Sequence, residues 1–506
     1  MTDFGNELHR LLAERHVSLR EAARRAGCSA GYLSNVATGR KPLTPSLAAS
    51  LDRAFNTRGM LTAYALRPER EHPRLQGPGR GQQRPEAKRT AGGPVQARAG
   101  QASDALRERW PGIRLSRVLS GYGDGWIMDL PPGRLLDGGG QMTLRVEPVM
   151  TAADGTVSFP VGDLPLGQLR APRHGMLLGA DERGSGTGPR LLVLDLREVR
   201  LAISQADDVP SAIAVPQACE LDDLGYAIVW AMAGLDDALL ADDHALDERH
   251  RQLREYEQMP ESAVGRQAAA GLTSAARMWL GSSFCAGHIL RNLSEPAASP
   301  VFWTREQTGE EACTWLLFRH KLDYLTRISA LYGRAGSPLV RGFCIPEQAS
   351  GTLPRWEKVL LWLAVALMES LGIWVKICAD PGYAGTDGFV LVPGDRAVIA
   401  TWIRAEGIWY AGQTTRAPDL RNFSEVAGYA TAHSVTDDTT PAGRLRLLAS
   451  YLGLDWAWLT GRCAGLGRVG CARLIQPHSR LLSTQGVDAA LRFAGSISAA
   501  GRGALG

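Results

Sequence analysis

The sequence predicts a multidomain chain: a small all-α domain at the N-terminus, a flexible linker, and a large mixed α+β C-terminal region. Three observations lead there. Residues 18–39 form two short helical segments around a Gly-containing turn. Residues 67–103 are dense in Gly, Pro, Gln and Arg and almost lack large apolar side chains. Beyond them, β-favouring runs give way to long stretches with apolar residues at helical spacing.

At 506 residues, 45% apolar and 21% charged, the chain is ordinary globular protein with length for about three domains. Its charge is uneven. Residues 1–100 hold 17 Lys/Arg against 8 Asp/Glu, a net of +9, although the whole chain carries only +4. The basic end is therefore the nucleic-acid candidate. Asp3, Glu7 and Glu14 interrupt the N-terminus, which excludes a signal peptide pattern, and the longest apolar run, 359–368, has ten residues. A membrane span needs about twenty. The eight cysteines, at 28, 219, 285, 313, 344, 378, 463 and 471, include no Cys-x-x-Cys pair. The spacing suits reduced thiols rather than a disulfide framework or a Cys-rich zinc module. The expectation is a cytoplasmic, nucleoid-associated protein with no membrane partner.

The expected divisions are 1–66 for the helical domain and 67–103 for a disordered linker, since that composition cannot offset its ordering entropy. A β-rich region follows at 104–215, from the runs 114–119, 142–149 and 191–203 between Gly, Pro and Asp signals. A helical and α/β region fills 216–480. Apolar residues recur at helical spacing from 221 to 332, a helix is expected at 355–371, and strands at 373–379, 388–392, 398–404 and 408–413. Short helices at 442–452 and 456–460 precede an Ala/Gly/Ser-rich flexible tail at 481–506.

Within the first domain, Ser18 is placed to cap a helix, with Glu21 three residues on completing a capping box, and Leu19, Ala22, Ala23 and Ala26 form a compact apolar face. Gly27 permits the turn and Ser29 caps the next helix. Leu33 and Val36 then face inward, leaving Ala30, Gly31, Ser34 and Asn35 outward. Gly39 ends that helix, and Arg40-Lys41 follow. Thr44-Pro45 starts a further helix whose Leu47, Leu51 and Phe55 close the core.

This pattern resembles the Xre/Cro-type, lambda-repressor-like helix-turn-helix regulators over about residues 7–60. The run Leu-x-Glu-Ala-Ala-x-x-Ala-Gly-x-Ser (19–29), then Tyr32-Leu33-Ser34 and Gly39-Arg40-Lys41-Pro42, bears the resemblance. It implies double-stranded DNA as partner, base contacts from Ala30, Gly31 and Asn35, and phosphate contacts from Arg20, Ser34, Arg40 and Lys41. Arg20 stands where the family often has Gln, and Ala37 where it often has Glu. Because Ala30 and Gly31 offer little hydrogen bonding, base discrimination is expected from Asn35, bidentate to adenine, with Tyr32 or DNA shape contributing.

Beyond the linker the motifs are weaker. Asp236, Asp243 and Asp247 share one helical face, and Cys285-Ala-Gly-His288 has local ligand spacing, but a solvated face and a buried Cys beside a hydrogen-bonded His explain them, so no metal is assigned. His320, near Glu310, Glu311 and Asp323, is read as part of a surface charge network rather than a catalytic pair, and no nucleophile elbow, phosphate loop or His-Glu-x-x-His occurs. Residues 302–307 (Phe-Trp-Thr-Arg-Glu-Gln) would line an effector pocket; equally, Thr304 would cap a helix and the aromatics belong to the core. The thirteen tryptophans all lie beyond residue 109, where they serve core packing, a pocket or a subunit interface.

The expected function is a sequence-specific DNA-binding transcriptional regulator of bacterial type, a homodimer whose C-terminal region oligomerises or senses a small-molecule or protein effector. No catalytic residue and no cofactor is assigned, and the chain is read as not an enzyme. The alternative is an enzyme or a partner-binding adaptor that uses the DNA-binding domain for targeting or autoregulation. A flexible tether transmits orientation poorly, which favours control through oligomeric state or effective concentration.

Overall fold

A computed structural model describes the chain apart from residues 1–2, 16, 27–29, 39–42, 44, 56, 58–59, 62–93, 121–122, 153–155, 162–173, 182–188, 207, 209, 260, 265, 294–297, 306, 334–337, 403–408 and 504–506. It comprises two units, Met1–Arg89 and Thr90–Gly506.

The described elements of the first unit are helices that meet through residues three and four apart. Helix α1 (Asp3–Glu14) contributes Phe4, Leu8, Leu11 and Leu12; α2 (Leu19–Arg25) contributes Ala22 and Ala23; α3 (Ala30–Ala37) contributes Leu33 and Val36; α4 (Pro45–Phe55) contributes Leu47, Leu51 and Phe55. The two alanines of α2 let the neighbouring helices approach closely. Buried Asp52 closes the C-terminal end by accepting the backbone N–H of Leu61 at 2.9 Å and the hydroxyl of Thr57. Most of the expected linker, 67–93, lies outside the described residues.

The described strands of the second unit form three sheets. Strands β1 (Arg114–Ser120), β2 (Gly123–Asp129), β3 (Gln141–Val146), β6 (Gly175–Asp181) and β7 (Arg190–Asp195) make a five-stranded sheet in the order β1-β2-β3-β6-β7. A small sheet joins β4 (Met150–Thr151), β5 (Val157–Pro160) and β8 (Ala212–Ala214). The largest has seven strands in the order β12-β11-β10-β13-β14-β15-β9. They are β9 (Ser262–Val264), β10 (Val301–Thr304), β11 (Leu339–Cys344), β12 (Ile373–Cys378), β13 (Phe389–Val392), β14 (Arg396–Thr401) and β15 (Trp409–Thr414). β10, β11 and β12 pair in parallel, and every pairing from β10 through β13 to β9 is antiparallel. Parallel neighbours need helical crossovers. Gly309–Leu317 and Arg319–Tyr332 supply one, and Glu347–Thr352 with Arg355–Ser370 the next. The apolar run 359–368 is the inner helix of that second crossover, each side chain at most 2% exposed.

The helix Asp223–Glu257 is buried all round over residues 224–236. It is long and apolar enough to cross a membrane by composition, but 78% of its most apolar stretch is covered by protein.

Several expectations need correction. The helix Pro94–Arg109 takes the last ten residues of the expected linker, because Ala102, Ala105 and Leu106 recur at helical spacing and Trp110 stacks on Tyr226 at 4.3 Å. The run 191–203 is strand only to Asp195, whose carboxylate accepts the N–H of Arg197 at 2.7 Å and starts the helix Leu196–Ser204. The expected tail is largely the helix Gln485–Gly503, which buries Val487, Ala490, Leu491 and Ala494. One buried cluster extends from Ala102 to Ala494, so 104–215 and 216–480 share a core. The strands expected between 373 and 413 are β12 to β15.

Candidate functional site

In the first unit the side chain of Ser18 accepts the backbone N–H of Glu21 at 3.2 Å, satisfying an orphan donor at the start of α2. α3 turns Leu33, Val36 and Ala37 into the core, each at most 2% exposed. At 100° per residue this sets positions 31, 35 and 38 on the opposite face. Ala37, where the resembled regulators often carry Glu, is thereby a core residue. Ser34 is half-buried, and its carbonyl accepts both the N–H and the hydroxyl of Thr38 at 2.9 Å. Ala30, Gly31, Tyr32 and Asn35 occupy α3 and Arg20 occupies α2; the side chains of these five, and all of Gly27, Ser29, Arg40, Lys41 and Thr44, lie outside the described residues.

Residues 3–65 match the family model of a helix-turn-helix domain. No curated protein and no solved structure matches the chain. The helix-turn-helix domain gives this protein DNA as a partner and transcription regulation as its setting. That match stops before the second unit, whose chemistry must be read from its own side chains.

A cavity of about 540 Å³, its mouth included, opens where the seven-stranded sheet changes from parallel to antiparallel pairing. Register places Phe302 of β10 between Arg341 of β11 and Val390 of β13. The helices Ser274–Asn292, Gly309–Leu317 and Arg319–Tyr332 add Cys285, Trp315 and Lys321 to its wall. Lys321 is 2% and Arg341 4% exposed. The ammonium of Lys321 lies 3.6 Å from the ring centre of Trp315 and 4.4 Å from that of Trp402, and the Arg341 guanidinium lies 4.7 Å from Phe302 and 4.9 Å from Trp315. One Arg341 nitrogen donates to Thr304 Oγ1 at 2.9 Å. Burial, reinforced by Arg341, holds the Lys321 ammonium well below the usual lysine range. Burial also lowers Arg341.

The segment 302–307 thus does line a pocket, through Phe302, Trp303, Thr304 and Arg305. Thr304 ends a strand and caps no helix. The cap lies at Thr308, whose N–H donates to Glu311 at 2.8 Å. His320 is not on a surface network: its Nε2 is 2.7 Å from Ser282 Oγ, and burial drives its pKa well down. Ser282 also donates to the Trp279 carbonyl at 3.1 Å, so the imidazole supplies the proton of the shared bond. Glu310 instead holds the backbone N–H groups of Arg134, Leu135 and Leu136.

The three aspartates of the 223–257 helix separate. Asp243 and Asp247 hold the exposed guanidinium of Arg480. Asp236 is fully buried and lies 3.3 Å from both His174 Nε2 and His478 Nδ1. These three residues bring ligand-type atoms within 4.8 Å of one another. The Asp236 carboxylate already accepts the N–H groups of His478 and Ser479, which makes it the anchor of that loop. Cys285 and His288 diverge in role: the thiol faces the cavity and is pushed up to about 12 by burial, while His288 sits beside Arg291 with its pKa pushed down to about 4 by burial. Sequence reasoning missed Lys321 and Arg341 altogether.

Proposed function

We propose that this protein is a sequence-specific, DNA-binding transcriptional regulator of the Xre/Cro type, whose second unit senses a small molecule. The observation that carries the reading is a helix-turn-helix domain joined in one chain to a unit with a preformed, aromatic-lined cavity. It acts by binding rather than catalysis. In support, His320 pairs with a serine whose own proton is committed to a carbonyl, and among the described residues its Nδ1 has no partner to orient it. Two copies would set paired recognition helices about one DNA turn apart, and occupancy of the cavity would alter how many copies engage the operator. Cytoplasmic, nucleoid-associated working follows from that role.

The test is a salt series of duplex DNA binding with the full chain. Log affinity falls linearly with log salt, and Arg40→Ala and Lys41→Ala each reduce the slope by about one. Binding that is absent, or flat with salt, contradicts the reading.

A further inference from the structure

The cavity wall is electrostatically incomplete. Lys321 and Arg341 are both buried, and among the described residues neither forms an ion pair with a carboxylate. Burying a charge without a counter-charge is costly, and aromatic faces compensate only in part. The hydrogen bond from Arg341 to Thr304 uses one terminal nitrogen; among the described residues the Nε and the other terminal nitrogen have no hydrogen-bond partner at close range, and the neighbouring Tyr324 hydroxyl, kept neutral by burial, brings no counter-charge. Those two N–H groups are the parallel fork that grips a carboxylate or phosphate in bidentate fashion. The hydroxyl of Thr401, on the same wall and 9% exposed, likewise has no hydrogen-bond partner among the described residues. Around this polar set the lining is Phe302, Trp315, Trp402, Phe389 and Val390, which suits a flat apolar body.

We propose that the cavity binds a small organic anion, a carboxylate or phosphate monoester on an aromatic body, with Lys321 and Arg341 as its counter-charges. Arg341 holds the head group through its free fork, Lys321 adds a point charge, and the aromatic body stacks among the tryptophans. The inference rests on the sensing role proposed above and names the class of molecule sensed.

Calorimetric titration of the full chain with benzoate, indole-3-acetate and phenyl phosphate, each beside benzamide, indole-3-acetamide and phenol, tests it. At least one anion is expected to bind once per chain, 10-fold or more tighter than its neutral counterpart. The carboxylate and phosphate arms distinguish the head groups. Lys321→Met and Arg341→Met each weaken that anion 10-fold or more, whereas Arg341→Lys, which keeps the charge and loses the fork, weakens it while retaining the preference over the neutral counterpart. Equal binding of anion and neutral form, binding indifferent to these variants, or no binding of any anion at millimolar concentration overturns the proposal. Repeating the DNA titration with the bound anion separates the two readings: unchanged DNA affinity defeats the sensing role and leaves the site standing.

Discussion

Two buried basic regions in the second unit solve the same problem in opposite ways. Arg444 is fully buried and forms two bonds to Glu369, at 2.8 and 2.6 Å; its remaining terminal nitrogen donates to the Asp438 carbonyl, and the ring of Trp374 covers the guanidinium at 4.3 Å. Glu369 also accepts the N–H of Val375. Every group there is answered from within the chain. At Lys321 and Arg341 the aromatic cover is present, and among the described residues no carboxylate pairs with either. The difference teaches that aromatic packing of a buried cation is a structural habit of this fold, and that the missing anion is what distinguishes a binding site from a core feature.

Glu369→Gln leaves Arg444 buried and uncompensated, and denaturant unfolding should lose about 3–5 kcal/mol. A loss as small as that of a surface ion pair would show that buried cations here need no counter-charge. The reverse substitution at the other region is expected to act in the opposite direction: Lys321→Met removes an unanswered charge and should stabilise the empty protein by about 1–3 kcal/mol.

That gain depends on pH. Lys321 titrates lower in the folded than in the unfolded chain, so the unfolded state binds more protons between the two values and wild-type stability rises with pH across that window. The advantage of Lys321→Met therefore grows as pH falls, and anion affinity of the wild type rises in the same direction. The groups facing Lys321 are Arg341 from β11, Cys285 from the 274–292 helix, and His320 and Tyr324 from its own helix. Cys285, pushed up to about 12, stays neutral across the accessible range. Urea melts from pH 6 to 10 check this, and a pH-independent difference between variant and wild type contradicts it.

The smallest expected effect lies in the helix-turn-helix domain. Ser18→Ala removes the N-cap of α2 and should lower the opening free energy of its amides by about 1 kcal/mol in hydrogen exchange, leaving the second unit unchanged.

What was legible in the sequence follows the range of the interactions concerned. The Ser18 cap marked α2, apolar spacing marked α3 and α4, and Gly, Pro and Asp signals marked the strands from β12 to β15, because these are local rules. The helix Gln485–Gly503 was obscured by its Ala, Gly and Ser content, although Val487, Ala490, Leu491 and Ala494 recur at three and four residues. Asp195 was legible as a cap only once the strand before it was known to end. The cavity was legible in part, since Phe302 to Arg305 are contiguous. Its charges were not. Lys321 follows Arg319 and His320, a run that reads as surface, and only the facing of the helix exposes Arg319 while burying Lys321. Arg341 lies on another strand, and no local pattern joins the two.

The most direct measurement is anomalous scattering from bromide soaked into crystals of the full chain. A bromide peak is expected in the cavity, within contact distance of the Lys321 ammonium and the fork of Arg341, and none beside Arg444. Bromide elsewhere on the surface with the cavity empty would contradict it.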